Sequence, residues 1–358
     1  MKIGILTYHR SHNYGALLQA IALRKVLSDM GHVVTFIDYW PAYHRHMYET
    51  ISISSMKYRG IRKNWEYIVT CLSNYFYRKE RISNFNKFIA KFILPHISST
   101  EDNYDLVIYG SDQIWRKQPE IKTYNPVYFG KNRIKAKKHI SYAASMGILP
   151  RNETDKLLIS ELLKHLDKIS VRESDLAQLI KKLGYACHHH LDPVFLLNKG
   201  NWQSVLPAKN SSDEKYILYY CLQKDAFNIY EVKEFAKKRN LKIKYLYGTA
   251  IKKNTKNEIT TADPLMFIDL IKNAEFVITS SYHGLAFSIL FHKPFYVAFS
   301  RNSKRASSLL SQLGLSIYLI PPCSSIPSHY PPIDYNQVDF HLNMLRKDSK
   351  QYLNDATK

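Results

Sequence analysis

The sequence lacks the glycine motifs of two common classes of α/β enzyme. Neither G-x-G-x-x-G nor G-x-x-x-x-G-K-[ST] occurs in the 358 residues, which include only 12 glycines. The first motif approaches the pyrophosphate of dinucleotides, and the second cradles nucleotide phosphates. A nicotinamide-dependent enzyme or a P-loop enzyme therefore has little support.

Cysteines and long apolar runs are also scarce. The four cysteines stand far apart and form no C-x-x-C pair, so we interpret them as reduced core thiols of a cytosolic protein. No apolar run approaches the roughly 20 residues that a membrane span needs. Met1–Gly4 leads directly into a strand-like segment, so we expect no signal peptide.

Acidic residues are few relative to basic ones. Asp and Glu number 30 against 51 Lys and Arg, which gives a net charge of +21 at pH 7. Such an excess favours an anionic partner, which is a phosphorylated small molecule, nucleic acid or an anionic membrane. Segment 41–97 holds ten of the cations, interleaved with aromatic side chains. This mixture suits a membrane interface or single-stranded nucleic acid, and it equally suits amphipathic helices with an ordinary core face.

Strand-like and helix-like segments alternate along the chain. "KIGILTY" (2–8), a helix over 14–31 and "HVVTFIDYW" (32–40) form a βαβ opening, which predicts a parallel sheet. A long helix is predicted over 64–92. The polar stretch 198–215 interrupts the alternation.

We therefore predict an α/β protein with two Rossmann-like domains that face a cleft and contain mostly parallel sheets. Residues 1–197 form the first domain, with the basic and aromatic helical insert on the acceptor side. Residues 198–334 form the second domain, on the donor side. Residues 335–358 form a closing helix that packs back on the first domain.

Polar turns follow four of the predicted strands, at 9–15, 110–113, 170–173 and 279–284. Ligands of open parallel sheets bind beyond the carboxyl ends of the strands, where helix N-termini attract anions. Each turn taken singly is more simply a helix cap. Four such turns at strand ends predict a phosphate- or carboxylate-bearing ligand between the two domains.

Three side chains in these turns, and a run of histidines outside them, have a functional and a structural interpretation. His283 is a proton-transfer group or a core histidine with satisfied hydrogen bonds. Asp112 is a general acid or base, or a helix cap. Arg172, beside Glu173, is a fork donor to an anionic ligand or half of a surface ion pair. Residues 188–190 are all histidines. The sequence offers no further ligand at a suitable spacing from them, so we expect no metal site.

The order and wording of the motifs resemble the polysaccharide pyruvyl transferase family over nearly the whole chain. The motifs are "GILTYHRSHNYGALLQAIAL", "IDYWP", "YDLVIYGSDQIW", "YAASMG", "SVRESD", "LDPVFLL" and "VITSSYHGLAFSILFHKPF". The resemblance implies a fold like that of GT-B glycosyltransferases. It implies transfer of the enolpyruvyl skeleton of phosphoenolpyruvate onto two sugar hydroxyls, with phosphate released. The product is a cyclic pyruvate ketal, and the acceptor is often lipid-linked.

Within this resemblance His283 matches the important histidine of the family, and Arg172 matches an arginine implicated in donor binding. Many members carry Arg two positions before that histidine, where this chain has Ser281. Arg301, Lys304 and Arg305 follow a predicted strand and could supply the missing charge, or they form a basic surface loop.

The predicted site has three groups. The catalytic pair is His283 and Asp112, without an assignment of acid and base. The donor-binding residues are Arg172, Arg305, Arg301, Ser281 and Gly284. The acceptor-binding or cleft residues are Asn13, Tyr14, Gly15, Ser111 and Asp192. No cofactor and no metal are expected, because phosphoenolpyruvate is itself the donor substrate.

Two other functions stay open at the level of sequence. The first is a GT-B-type glycosyltransferase that uses a nucleotide sugar. The second is a non-catalytic binder of nucleic acid or of a membrane surface, although no nucleic-acid motif is present. We expect a cytoplasmic protein with peripheral contact to the inner face of an anionic membrane.

Overall fold

Two five-stranded parallel sheets form the centre of the protein. The computed structural model describes residues 1–45, 48–52, 60–205 and 214–358, and parts of the predicted insert (46–47, 53–59) and linker (206–213) lie outside them. The described strands are β1 Lys2–Leu6, β2 Val33–Ile37, β3 Ile97–Ser98, β4 Asn103–Tyr109, β5 Lys135–Ser141, β6 Ser170–Val171, β7 His188–His189, β8 Tyr216–Tyr220, β9 Lys242–Leu246, β10 Glu258–Ile259, β11 Phe276–Thr279 and β12 Phe295–Val297.

The two sheets have matching strand orders, β3-β2-β1-β4-β5 and β10-β9-β8-β11-β12, and every named pair in them is parallel. Strands β6 and β7 form a further short parallel pair. Central strands such as β11 are buried along their whole length because helices cover both faces of a parallel sheet. The α/β class with two Rossmann-like, mostly parallel sheets is thus confirmed.

Helices connect the strands. The described α-helices are α1 Tyr14–Asp29, α2 Ala42–Arg45, α3 Ile61–Ser73, α4 Tyr75–Phe92, α5 Glu153–Leu163, α6 Ser174–Lys182, α7 Lys199–Val205, α8 Ile229–Lys238, α9 Pro264–Lys272, α10 Tyr282–Leu290, α11 Lys304–Gln312 and α12 Tyr335–Ala356. The single helix predicted over 64–92 is interrupted at Asn74, which separates α3 from α4. No described helix is long and apolar enough to cross a bilayer.

One of the two hydrophobic core clusters of the described residues contains side chains from both halves of the chain, and the other lies within the first half. The Tyr14 ring of α1 stacks on the Phe267 ring of α9 with centroids 4.7 Å apart. Polar contacts reinforce this junction, because Arg81 of α4 donates to the Thr260 carbonyl at 3.2 Å and Asn84 donates to the Thr261 carbonyl at 2.8 Å. Helix α4 therefore ties the first sheet to the second.

The closing helix α12 lies against the first half of the chain. The Tyr352 hydroxyl donates to the Ser141 carbonyl at 2.9 Å, and Arg346 Nε donates to the Phe195 carbonyl at 2.6 Å. The division into domains at 197/198 and 334/335 stays a proposal, since the core cluster shared by both halves does not itself mark a boundary.

The cysteines are all free thiols, but they are not all in the core. Cys71 and Cys187 are buried as predicted, whereas Cys221 is half-buried and Cys323 is exposed. The prediction of four core thiols is therefore wrong for Cys323, which sits in the Pro-rich loop before α12.

Candidate active site

His283 lies at the start of α10, directly beyond the carboxyl end of β11. Ser281 caps this helix by accepting from the Gly284 backbone N–H at 3.2 Å, and Thr279 Oγ1 accepts from the Ser281 N–H at 3.0 Å. Position 284 requires glycine, because a Cβ there would lie only 2.6 Å from Thr279 Oγ1. The hydroxyls of this turn thus fix the start of the helix. His283 is buried, with 8% of the residue exposed.

The imidazole of His283 rests on the backbone of Gly15, in the first turn of α1. A Cβ placed on Gly15 would lie 1.9 Å from His283 Nδ1, a distance that no real contact permits. The N-terminal turns of α1 and α10, one from each half of the chain, therefore meet at this ring. Both turns direct free backbone N–H groups toward the junction, which favours an anion there.

A chain of charged groups runs from His283 into the first half. His283 Nε2 lies 3.4 Å from Asp192 Oδ2, and the same carboxylate is paired with the Arg172 guanidinium. Arg172 NH2 lies 3.7 Å from Asp112 Oδ1. The structure thus brings together all four of these predicted residues.

A second arginine completes the cluster. Arg305, near the start of α11, has its Nε 4.0 Å from Glu173 Oε1, which also accepts from the Ser145 hydroxyl. With its amide oxygen turned toward Arg305, Gln113 accepts from both terminal guanidinium nitrogens at 3.1 and 2.8 Å. The Tyr282 ring lies 5.6 Å from the Arg305 guanidinium and 4.8 Å from that of Arg172.

Burial sets the protonation behaviour of the carboxyl groups in opposite ways. Burial raises the pKa of Glu173 above its usual value, and nearby Arg172 and Arg305 offset this only in part. Burial also opposes ionisation of Asp192, but Arg172 and His283 more than compensate and hold the pKa of that carboxyl well below its usual range. At neutral pH Asp192 is therefore an anion, whereas burial keeps the pKa of Glu173, the carboxyl nearest Arg305, above its usual value.

Several polar atoms of the cluster are buried and have no hydrogen-bond partner. They include Arg172 Nε and NH2, Arg305 Nε, Glu173 Oε2 and His283 Nε2. Buried guanidinium N–H groups without acceptors are costly, so their presence indicates a place for an anionic ligand. Phosphate and carboxylate groups match the fork of an arginine.

A cavity of about 280 Å³ opens beside this cluster, with Asp112 in its wall. Its other lining residues are mostly aromatic or hydrogen-bonding: Tyr8, Ser11, Asn13, Ala16, His44, Tyr48, Gln113, Arg116, Gln118, Pro119 and Glu120. Burial lowers the pKa of His44 to about 4, so its imidazole is neutral at pH 7. The cavity is small for a ligand pocket and offers both donors and acceptors, as a sugar ring requires.

Asp112 occupies a left-handed backbone conformation, with φ of 72°. Such a conformation is uncommon outside glycine, although Asp tolerates it. The prediction that Asp112 is a helix cap is wrong, because no described α-helix begins between this residue and α5. The turn instead places its carboxylate between the cavity and Arg172.

The other predicted site residues make contacts that mainly hold the fold together. Asn13 caps α1, since its Oδ1 accepts from the Ala16 N–H at 3.1 Å, and it also lines the cavity. Tyr14 is buried in the junction, where its hydroxyl accepts from Arg81 at 2.9 Å. Ser111 is buried, and its hydroxyl donates to the Ala143 carbonyl at 3.0 Å. Arg301 is exposed, with its backbone N–H held by Gln223 at 3.0 Å.

Arg172 and Glu173, which are adjacent in sequence, are buried, and we did not predict this from the sequence. Both are 3% exposed, so the surface ion pair considered for them is wrong. They point to different partners, Arg172 to Asp192 and Glu173 to Ser145. The signal was available in part, because an arginine and a glutamate directly after an apolar strand lie where a parallel sheet places its ligands.

We predict that Glu173→Gln changes how stability depends on pH. Because the pKa of Glu173 is raised in the folded protein, the native state holds a proton that the unfolded chain releases near pH 4.3. Wild-type stability therefore falls as pH rises from about 4.3 through the raised pKa, and the glutamine variant escapes this loss. The melting temperature of Glu173→Gln, relative to wild type, should rise as pH increases above about 4.3.

Glu161 is exposed, so Glu161→Gln is the matched control. Its melting temperature relative to wild type should show no such trend with pH. An offset between Glu173→Gln and wild type that stays constant across this pH range would contradict the raised pKa.

The described residues contain no group of three or more His, Cys, Asp or Glu side chains arranged to hold a metal ion. His188 and His190 stack on each other with ring centroids 5.6 Å apart, and Ser170 lies 2.8 Å from His190 Nδ1. These histidines pack under α12, away from the Asp112–His283 cluster.

Comparison with known proteins identifies one family. The family model described as "Polysaccharide pyruvyl transferase" matches residues 13–303. This span contains the helix starts at 14 and 282 and all of the charged cluster except Arg305, and it agrees with the resemblance seen in the motifs. A search of curated proteins found no match.

Solved structures resemble the chain only distantly. UDP-GlcNAc 2-epimerase from Methanocaldococcus jannaschii is 12% identical, with 100% of this chain and 99% of that chain covered and a TM-score of 0.47. Escherichia coli heptosyltransferase WaaC is 11% identical, with 96% and 100% covered and a TM-score of 0.42. The glycosyltransferase SnogD from Streptomyces nogalater is 12% identical, with 98% and 95% covered and a TM-score of 0.41.

Proposed function

The chain belongs to the polysaccharide pyruvyl transferase family, and from this premise we propose that it forms a pyruvate ketal on a saccharide, with phosphoenolpyruvate as the donor. The family is one of transferases, so a purely non-catalytic role does not hold. The carbon skeleton of the donor joins two hydroxyls of the acceptor, and inorganic phosphate leaves.

One observation carries the choice of an anionic donor. Arg172 and Arg305 both present buried nitrogens without hydrogen-bond partners, at a point where two helix N-termini also meet. Phosphoenolpyruvate carries a phosphate and a carboxylate, which are two anionic groups on a small skeleton. Two guanidinium groups beside one ring, Tyr282, suit such a ligand. Arg305 is then the cation that replaces the arginine absent at position 281.

The reaction needs two proton transfers around the donor carbon. The first acceptor hydroxyl adds to the carbon that bears the phosphate and loses its proton to a base, while an acid delivers a proton to the methylene carbon and converts it to a methyl group. The bond to phosphate then breaks, the second hydroxyl attacks the same carbon, and its proton leaves with the phosphate. His283 and Asp112 are the proposed acid and base, since one adjoins the donor cluster and the other lines the cavity.

The cavity at Asp112 is the proposed acceptor subsite. Its volume of about 280 Å³ suits one sugar ring rather than a long segment of polysaccharide. Tyr8 and Tyr48 supply flat surfaces, and the amide and hydroxyl groups around them can bond to sugar hydroxyls. We propose that the acceptor is lipid-linked, which is consistent with the exposed basic and aromatic helices α3 and α4.

The donor assignment predicts stabilisation by phosphoenolpyruvate. A ligand that binds only the native state at 100 times its Kd raises the free energy of unfolding by about 2.7 kcal/mol. The wild-type melting temperature should therefore rise with millimolar phosphoenolpyruvate, and Arg305→Gln should abolish most of that rise. Thermal denaturation with and without the ligand measures both effects.

The neighbouring exposed Lys304→Gln is the matched control and should keep the full rise. If nucleotide sugars raise the melting temperature and phosphoenolpyruvate does not, the protein is a glycosyltransferase and the donor proposal fails. An equal loss in both variants would show that general positive charge, rather than Arg305, holds the ligand.

A further inference from the structure

Helices α3 and α4 leave a band of apolar side chains in solvent. Trp65, Val69, Leu72 and Phe76 recur at intervals of three and four residues, and their exposed fractions are 68, 47, 59 and 82%. Trp65, Val69 and Leu72 share one face of α3, and Phe76 follows in the first turn of α4. Asn74 joins the two helices, since its N–H donates to the Thr70 carbonyl at 3.2 Å and its carbonyl accepts from the Arg78 N–H at 2.9 Å. We call these four exposed side chains the apolar stripe.

The core-facing side of the same helices is formed by other residues. Cys71 in α3 and Phe85 and Phe88 in α4 are buried. The ordinary core face considered for this segment is therefore present in α4, but the apolar stripe has no part in it. Single exposed apolar residues are common, whereas a continuous exposed band marks a binding surface.

Exposed cations lie on the helices that carry the stripe and on a loop that contacts them. Arg62, Lys63 and Lys79 lie on the same two helices, and Lys252, Lys253 and Lys256 lie on the loop that follows β9. The loop is held at the break between the helices, because the Lys252 backbone N–H donates to Asn74 Oδ1 at 2.6 Å.

Exposed carboxylates are fewer on these helices. Glu66 and Glu80 are exposed, and Glu66 is paired with Arg62 at 3.2 Å. Strand β10, which follows the loop, adds one half-buried carboxylate, Glu258, which accepts from the Asn254 N–H at 2.6 Å. The exposed cations of these helices and this loop thus outnumber the carboxylates, and they come from both halves of the chain.

We propose that the apolar stripe and the exposed lysines of these helices and this loop bind the surface of an anionic lipid bilayer. Helices that lie in the membrane interface combine an exposed Trp, Phe and Leu face with Lys and Arg, and anionic lipids attract those cations. The surface includes residues of both halves, so binding would hold the protein in one orientation on the bilayer. This inference goes beyond the proposed ketal chemistry and does not depend on it.

Two other occupants fit the surface less well. A second copy of the chain would bring the same excess of positive charge, which opposes association through this basic surface. Single-stranded nucleic acid would use the aromatic rings, but Val69 and Leu72 offer no flat surface on which bases stack. A bilayer uses both the aliphatic and the cationic side chains.

Vesicle co-sedimentation of the full chain tests the proposal. At low salt, wild type should bind vesicles of phosphatidylglycerol and phosphatidylcholine, and pure phosphatidylcholine should bind it far less. The double variant Trp65→Ser with Phe76→Ser should weaken partitioning at least about tenfold, because the buried apolar area is lost. Replacement of Lys252, Lys253 and Lys256 by Gln should weaken it on the order of 100-fold, since each cation contributes several-fold.

Matched controls separate this surface from general stickiness. Tyr230 and Phe340 are 74 and 64% exposed elsewhere, and their double change to Ser removes comparable apolar area. Lys164, Lys181 and Lys182 are exposed on or beside α5 and α6, and their triple change to Gln removes the same charge. Both controls should bind vesicles nearly as well as wild type.

Three results would overturn the proposal. The first is that wild type does not bind anionic vesicles at low salt. The second is that the test and control variants lose vesicle binding equally. The third is that the protein is a dimer in solution, that Trp65→Ser with Phe76→Ser dissociates the dimer, and that the protein does not bind vesicles. The stripe variants should keep the stabilisation by phosphoenolpyruvate, so a failure here is distinguishable from a failure of the donor assignment.

Discussion

His283→Asn should release phosphate from phosphoenolpyruvate roughly a hundred- to ten-thousand-fold more slowly than wild type while it stays folded. The imidazole adjoins Asp192, the carboxylate that also pairs with Arg172, so it is placed to exchange a proton with the bound donor. Asparagine keeps a polar group of similar reach but cannot carry the proton. Phosphate release with a saccharide acceptor is measured beside a denaturation curve.

His292→Asn is the matched control. His292 lies just beyond the C-cap of α10, at the opposite end of the helix from His283. Its imidazole also faces a carboxylate, with Nε2 3.1 Å from Asp339 Oδ2. Its replacement should leave turnover unchanged. If His283→Asn melts early yet turns over normally when folded, His283 is a structural residue and the catalytic assignment is wrong.

Arg172→Ala should lower the free energy of unfolding by about 3–5 kcal/mol at pH 7, the cost of removing one partner from a buried ion pair. Asp192 is 0% exposed and ionised, so without Arg172 only His283 remains to balance its charge. Urea denaturation measures the loss. The double variant Arg172→Ala with Asp192→Asn should recover part of it, because the orphaned charge is then gone.

Arg10→Ala provides the comparison. Arg10 makes a bidentate contact to Asp38 at 2.8 Å, but the two side chains are 22 and 33% exposed, so its loss should cost about 1 kcal/mol or less. Similar losses in the two variants would show that burial does not strengthen the Arg172 pair. The size of the Arg172 effect also explains why Arg305 is the better probe of donor binding.

The strands, the parallel sheets and the polar turns could be predicted from sequence because each depends on local pattern. Strand β11 begins with three apolar residues, Phe276 to Ile278, and the Ser281 hydroxyl after it caps α10 as its type predicts. The polar turns were correctly placed at strand ends for the same reason. The break at Asn74 was missed because no glycine or proline marks the position. Asn is a weak helix former, but a single Asn does not by itself predict the end of a helix.

The partnerships within the site could not be read from sequence, because they join residues that are distant along the chain. Nothing near Glu173 in sequence indicates Ser145 and Arg305 as its neighbours, and nothing near Asp112 indicates Arg172. The direction of a buried side chain depends on how whole sheets and helices pack. Residue types at strand ends could nominate the participants, but only the packed structure shows which of them pair.

The contact between Gly15 and His283 also limits the order in which substitutions could accumulate during evolution. With the present spacing, any side chain at position 15 collides with the imidazole at 283. A mutation away from glycine is tolerated only after the histidine has been lost or the helices have moved apart. Once a larger residue occupies position 15, restoring the histidine no longer restores the arrangement, so a lineage that takes this path cannot regain the site by one reversion.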